Sequence, residues 1–202
     1  LNTMNPSDLP VSVVIPVFNE TENLEELHRE LVGALEKTGR PFEVILIDDG
    51  STDSSWAVLR SLQHKDGRVK LICLRRNFGQ TAALAAGFDH ARGGIIVSLD
   101  ADLQNDPNDI PSLIQKIEEG YDIVSGWRRR RKDKFLTRRV PSTIANTLIS
   151  RLTRVRLHDY GCTLKAFRSE VIKNVKLYGE LHRFIPAIAS QLGVRISEVE
   201  VN

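Results

Sequence analysis

An α/β fold with a mainly parallel central sheet is what this 202-residue sequence predicts, on three observations. Short apolar segments alternate with segments of helical periodicity from Val11 to Gly126. Each apolar segment is a nearly continuous run, as in strands buried on both faces. Each run ends on polar or acidic residues, and open parallel sheets bind ligands outside the carboxyl ends of their strands.

The first strand is the β-branched run Val11 to Phe18, ended by Asn19-Glu20. Thr21 is the expected cap of the following helix, whose Leu24, Leu27, Leu31 and Leu35 share one face. Phe42 to Ile47 is the second strand, followed by the polar cap Ser51-Thr52-Asp53 and a helix with Trp56, Leu59 and Leu62 on one side. Val69 to Leu74 and Ile95 to Leu99 are the third and fourth strands. Between them, Thr81 to Ala91 is an Ala-rich helix whose small residues permit close packing on a sheet. A fourth helix, Ile110 to Glu119, leads to the strand Asp122 to Gly126. Farther on, Ser142 to Leu152 reads as a helix and Asp159 to Arg168 as a turn entering a strand.

With 41% hydrophobic and 27% charged residues, the chain can bury one sizeable core, and a single domain over 1–202 is expected. Cys73 and Cys162 have neither zinc-ligand spacing nor the density of a disulfide scaffold, which fits a reducing, cytosolic setting. No apolar run reaches the ~20 residues of a membrane span, and LNTMNPSDLP lacks the apolar core of a signal peptide. The net charge of +2 hides an asymmetry: Arg128 to Arg139 holds eight Lys/Arg against the single Asp133, leaving the remainder at −5. Dehydrogenase, P-loop NTPase and α/β-hydrolase chemistry are set aside, since Gly-x-Gly-x-x-Gly, Gly-x-x-x-x-Gly-Lys-Ser/Thr and Gly-x-Ser-x-Gly are all missing from the sequence.

The strand ends carry the chemistry. Asn19-Glu20, Asp48-Asp49-Gly50-Ser51, Arg75-Arg76-Asn77-Phe78-Gly79 and Asp100-Ala101-Asp102-Leu103-Gln104 follow the first four strands in turn and are expected on one edge. Five carboxylates converging there repel one another unless a cation or hydrogen-bond donors share the site. Mg²⁺ or Mn²⁺ takes oxygen ligands, typically one or two carboxylates completed by water and phosphate. Asp102 and Gln104 suit that task.

The segments Val-Ile-Pro-Val-Phe-Asn-Glu, Asp-Asp-Gly-Ser, Arg-Asn-Phe-Gly, Asp-Ala-Asp-Leu-Gln and Asp-Tyr-Gly-Cys-Thr-Leu-Lys-Ala-Phe-Arg occur in order from Val14 to Arg168, and the likeness they carry covers nearly the whole chain. Together they resemble the inverting GT-A glycosyltransferases of family 2, in particular the polyprenyl-phosphate branch of dolichyl-phosphate mannose synthases and undecaprenyl-phosphate sugar transferases. The resemblance implies a GT-A fold with a Rossmann-like nucleotide-binding half and transfer from a UDP- or GDP-linked sugar to polyprenyl phosphate. By it, Pro16, Phe18, Glu20, Ile47 and Asp49 surround base and ribose, Asp100 and Ala101 the ribose and diphosphate, and Asp102 with Gln104 the metal. Arg128, Arg138 and Ser142 are the implied ligands of the acceptor phosphate, a task that a guanidinium fork suits. Asp159 is placed near the reaction centre, as an orienting group if the acceptor is an already dianionic phosphate. The remaining cations of Trp127 to Arg139 are suited to anionic headgroups at the cytoplasmic face of a membrane. The chain stops at Val199 to Asn202, where similar enzymes continue into a further basic segment and often membrane helices, so such segments are expected to follow.

Two alternatives stay open at this level. A polysaccharide or protein-glycan hydroxyl as acceptor requires a true general base, and Asp159 is then indispensable. A membrane-surface or nucleic-acid adaptor uses only the basic segment and binds no nucleotide; without an aromatic stacking platform, nucleic acid is not the expected partner. His182 and Arg183 fit a helix surface and a substrate role equally well.

Overall fold

A computed structural model describes residues 10–129 and 157–202. Seven strands form one sheet: β1 (Val11–Val17), β2 (Phe42–Asp48), β3 (Val69–Cys73), β4 (Ile95–Ser98), β5 (Ile123–Arg128), β6 (Lys165–Arg168) and β7 (Ile196–Val201), in the order β3-β2-β1-β4-β6-β5-β7. β1 runs parallel to β2 and β4, β2 to β3, and β5 to β7, while β6 lies antiparallel between β4 and β5. The expected mainly parallel sheet is therefore present with one reversed strand. Apolar periodicity marks a strand without recording its direction.

The helices are α1 (Leu24–Glu36), α2 (Ser55–Lys65), α3 (Gln80–His90), α4 (Ile110–Glu118), α5 (Ser169–Ile172) and α6 (Ile185–Ala189). Period-2 side-chain alternation sends Val11, Val13, Ile15 and Val17 of β1 to one face and Val14 to the other. The first face is covered by α1, α2 and α4, for which Leu24, Leu27 and Leu31, Leu59 and Leu62, and Ile110, Leu113, Ile114 and Ile117 are buried at helical spacing. The second is covered by α3 and the short α5 and α6, through Ala83, Leu84 and Phe88, Ile172, and Ile185 and Ala189. The small residues of α3 do permit close approach: a Cβ at Gly87 would stand 2.3 Å from Val14 Cγ1.

Thr21 does not cap α1. Asn23 holds the cap position without a side-chain capping bond, and the Thr21 hydroxyl donates instead to Asp53 Oδ2 at 2.7 Å. A tertiary partner has outcompeted the local one, because the loops after β1 and β2 lie side by side. The expected helix Ser142 to Leu152 lies outside the described residues. No helix among the described residues is long and apolar enough to cross a membrane.

Candidate functional site

Because β1, β2, β3 and β4 are mutually parallel, their carboxyl ends open on one edge. A cavity of about 270 Å³ lies there, lined by Pro16, Phe18, Glu20, Asp49, Asp100, Ala101 and Asp102 together with Val17, Asn77, Gly79 and Gln80. Seven residues singled out from the sequence thus meet in one place. Phe18 keeps 43% of its surface exposed and offers an aromatic face at this edge.

The walls are cross-tied loops. Ser51 Oγ accepts from the Asn19 N–H at 3.0 Å, and Asn19 Oδ1 accepts from the Thr52 N–H at 2.8 Å, with Asn19 itself at φ 58°. Such left-handed conformations are most accessible to Gly and Asn. Ser55 Oγ accepts from the Glu20 N–H at 2.9 Å, and Glu20 Oε2 accepts from Asn23 Nδ2 at 2.6 Å.

Asp49 is 2% exposed, and its two carboxylate oxygens accept from the Phe78 N–H at 2.8 Å and the Gly79 N–H at 2.9 Å. It thereby fixes the loop between β3 and α3 as a cavity wall. Gly50 makes this closeness possible: at φ +71°, a Cβ would lie 2.5 Å from the Arg76 carbonyl carbon. Any other residue meets backbone there, which cannot swing aside as a side-chain tip can.

The turn after β4 concentrates negative charge. Burial, and then the neighbouring Asp102 carboxylate, push the Asp100 carboxyl up to about 6 against the opposing effects of a Thr163 hydroxyl bond, Lys165 and Arg128. Gln80 Nε2 donates to Asp100 Oδ1 at 2.5 Å, while Thr163 Oγ1 accepts from Asn105 Nδ2 at 2.9 Å, leaving its own proton to give. Asp102 is only half-buried, and its Oδ1 accepts from the Gln104 N–H at 3.1 Å. Two oxygen donors on the same rim, one of them penalised for being charged, fit a hard divalent cation that shares its shell with ligand phosphates. No group of three or more His, Cys, Asp or Glu able to hold a metal occurs among the described residues.

The structure separates other sequence-predicted residues from the cavity. Ile47 has no exposed surface, its Cδ1 stands over Gly87 of α3, and it is outside the cavity lining. The side chain of Gln104 is exposed and outside the cavity lining; its main-chain N–H is what touches Asp102. Arg138 and Ser142 lie outside the described residues.

Arg128 and Asp159 are brought together in a two-pronged contact, Nε to Oδ2 at 2.9 Å and Nη2 to Oδ1 at 3.4 Å, with the carboxylate 7% exposed. Asp159 Oδ1 also accepts from the Gly161 N–H at 3.0 Å. Glu198 of β7 secures this turn: Oε1 accepts from the His158 N–H at 2.8 Å and from the Asp159 N–H at 3.3 Å.

His182, read as a helix-surface residue or a substrate contact, is 4% exposed in a 3₁₀ turn, Leu181–Phe184, so the surface reading fails. Gln80, Thr163, Lys165 and Glu198 are site neighbours that sequence reasoning missed. A lysine inside the apolar strand Lys165–Arg168 is the one available signal, since a buried cation needs partners.

Comparison with known proteins adds kinship to geometry. Residues 12–176 match the family described as Glycosyl transferase family 2. A dodecaprenyl-phosphate galacturonate synthase of Rhizobium johnstonii is 48% identical over 181 residues, covering 89% of this chain and 54% of that protein. An undecaprenyl-phosphate 4-deoxy-4-formamido-L-arabinose transferase of Edwardsiella ictaluri is 43% identical over 192 residues, 95% of this chain and 59% of its own length. The chain thus spans less than two thirds of the curated relatives it matches.

Among solved structures, a mannosyltransferase of Pyrobaculum calidifontis in complex with GDP-Man and Mn²⁺ superposes with a TM-score of 0.69 at 20% identity, over 97% of this chain and 56% of the other. A glucosyl-3-phosphoglycerate synthase of Mycobacterium tuberculosis in complex with Mn²⁺, UDP and phosphoglyceric acid gives 0.73 at 20% identity, over 95% and 68%. These likenesses show the fold, which is GT-A.

Proposed function

The chain belongs to glycosyl transferase family 2, and on that premise we propose that it transfers a sugar from a nucleoside-diphosphate sugar to polyprenyl phosphate, with inversion and with Mg²⁺ or Mn²⁺ at Asp102. The observation that carries this reading is the cavity joining Phe18, Glu20 and Asp49 to the Asp100-Ala101-Asp102 turn at one sheet edge. The 202 residues are read as one catalytic domain.

Base and ribose lie against Pro16, Phe18 and Glu20, where Glu20 is a hydrogen-bond acceptor for base N–H or ribose hydroxyl groups. Asp49 acts by holding the Asn77–Gly79 wall in place. Asp100 and Ala101 face ribose and diphosphate. Asp102 holds the metal, oriented by the Gln104 N–H. When bound, a divalent cation supplies positive charge against the diphosphate leaving group.

The two relatives named above use, by their names, dodecaprenyl and undecaprenyl phosphate, and the anionic acceptor is carried to this chain on that kinship. An oxygen of the lipid phosphate attacks the anomeric carbon as the bond from that carbon to the diphosphate oxygen breaks. A dianionic phosphate has no proton to lose, so Asp159 serves as an orienting group that presets the Arg128 guanidinium. Arg138 and Ser142 complete the acceptor site on sequence grounds. The lipid acceptor puts the reaction at a membrane surface, on its cytoplasmic face.

The test is transfer of labelled sugar from UDP- and GDP-sugars to undecaprenyl phosphate in mixed micelles with Mn²⁺ or Mg²⁺. Asp102→Ala is expected to abolish metal-dependent transfer. Full transfer and unchanged metal dependence in that variant would sink the proposal.

A further inference from the structure

A second, smaller cleft adjoins the donor cavity, with Asp100 belonging to the lining of both. Thr163, Lys165, His182 and Arg183 are among its other walls. The mechanism above uses neither His182 nor Arg183.

His182 is the unusual member. Its Nδ1 lies 2.6 Å from Thr81 Oγ1, yet its Nε2 is buried without a hydrogen-bond partner among the described residues. Buried polar atoms are nearly always satisfied, so an orphan on a residue that lines a cleft points to a ligand. Two other polar side chains of the lining are already engaged. Ser98 Oγ donates to the Thr163 carbonyl at 2.8 Å, and Lys165 Nζ donates to the carbonyls of Tyr160 and Cys162.

Resting on the donor-site reading above, we propose that His182 is a sugar-recognition residue: its Nε2 hydrogen-bonds one hydroxyl of the transferred sugar, which enters the cleft beside Asp100. Size supports a hydroxyl, since the cleft has room for about 10 Å³, on the scale of one water-sized group and too small for a ring. Charge supports it too. Burial, with Arg183 and Lys165 nearby, pushes the imidazole below its ordinary range, and a neutral ring matches an alcohol that can both donate and accept. Orientation is preset, because Thr81, which holds the ring, directly follows Gln80, which holds Asp100. One helix start thus positions both the diphosphate side and the sugar side of the site.

Two substitutions separate recognition from structure. His182→Asn keeps an amide at the Nδ1 position, facing Thr81, and removes the Nε2 position; His182→Gln does the reverse. Each variant and the unaltered chain are titrated calorimetrically, with Mn²⁺, against UDP and GDP and against UDP-galacturonate, UDP-4-deoxy-4-formamido-L-arabinose and GDP-mannose. For the sugar donor the unaltered chain binds best, His182→Asn is expected to lose about tenfold in affinity while the parent nucleotide stays within about twofold. His182→Gln is expected to lose less of that donor affinity. Equal losses for nucleotide and nucleotide sugar, no loss for either, or a larger loss in His182→Gln than in His182→Asn would overturn the proposal. Failure of the unaltered chain to bind any of these nucleotides would instead remove the donor site itself, and this inference with it.

Discussion

Asp100→Asn should make the metal-free chain more stable at neutral pH while impairing its chemistry. Burial and Asp102 raise the Asp100 carboxyl from its ordinary 3.8 to about 6. Below pH ~4 the group is protonated in both the folded and the unfolded chain and carries no penalty. Between ~4 and ~6 only the unfolded chain has released the proton, so stability falls as pH rises. Above ~6 the folded chain bears the full cost of a buried charge, at most ~3 kcal/mol at 1.36 kcal/mol per pKa unit. Asparagine is neutral throughout, and its Oδ1 can still accept from Gln80. Urea unfolding of both proteins in chelator at pH 4.5 and pH 8 isolates the effect as a difference of differences. The variant should gain ~3 kcal/mol over the unaltered chain at pH 8 and only ~1 kcal/mol at pH 4.5, with transfer activity reduced. Identical pH dependence in the two proteins would refute the electrostatic reading of this turn.

Gly50→Ala should destabilise by about 2–4 kcal/mol, from the positive φ and from backbone contact with Arg76 at 2.5 Å, and should weaken UDP or GDP binding by displacing the Asn77–Gly79 wall. Denaturant midpoints and calorimetry read both effects; an alanine that leaves them unchanged would mean the two loops are not tied as described. Arg128→Ala removes one partner of a buried charge pair and should cost about 3 kcal/mol as well as acceptor affinity, seen as a raised KM for undecaprenyl phosphate. Asp159→Asn, by contrast, should lower kcat less than about tenfold, because an orienting group is missed less than a general base, whose loss typically costs 10²–10⁴.

The fold class was legible because buried parallel strands leave continuous apolar runs and covering helices leave 3.6-residue stripes, as Leu24, Leu27 and Leu31 do. The reversed β6 was not, since Lys165 to Arg168 reads the same in either direction. The strand-end rule located Glu20, Asp49, Asp100 and Asp102 on one cavity because the three strands that carry them, β1, β2 and β4, point the same way. Resemblance could not say which way the Ile47 side chain faces, because the last residues of a strand alternate between site and core, and this one is turned into the core. Nor could the strand-end rule assign Asp49 to the loop N–H groups of Phe78 and Gly79, or His182 to Thr81, because those partners lie 29, 30 and 101 residues away in sequence. Short-range caps suffered likewise: Thr21 had a plausible local role and took a distant one.

The most direct test of the donor site is calorimetry of UDP and GDP binding to the unaltered chain and to Asp102→Ala, each with Mn²⁺ and with chelator. Mn²⁺ is expected to tighten binding to the unaltered chain by about tenfold or more, at least ~1.4 kcal/mol, and Asp102→Ala to abolish this increment. Metal-dependent binding retained in full without the Asp102 carboxylate, or no nucleotide binding by the unaltered chain, would contradict the donor-site reading.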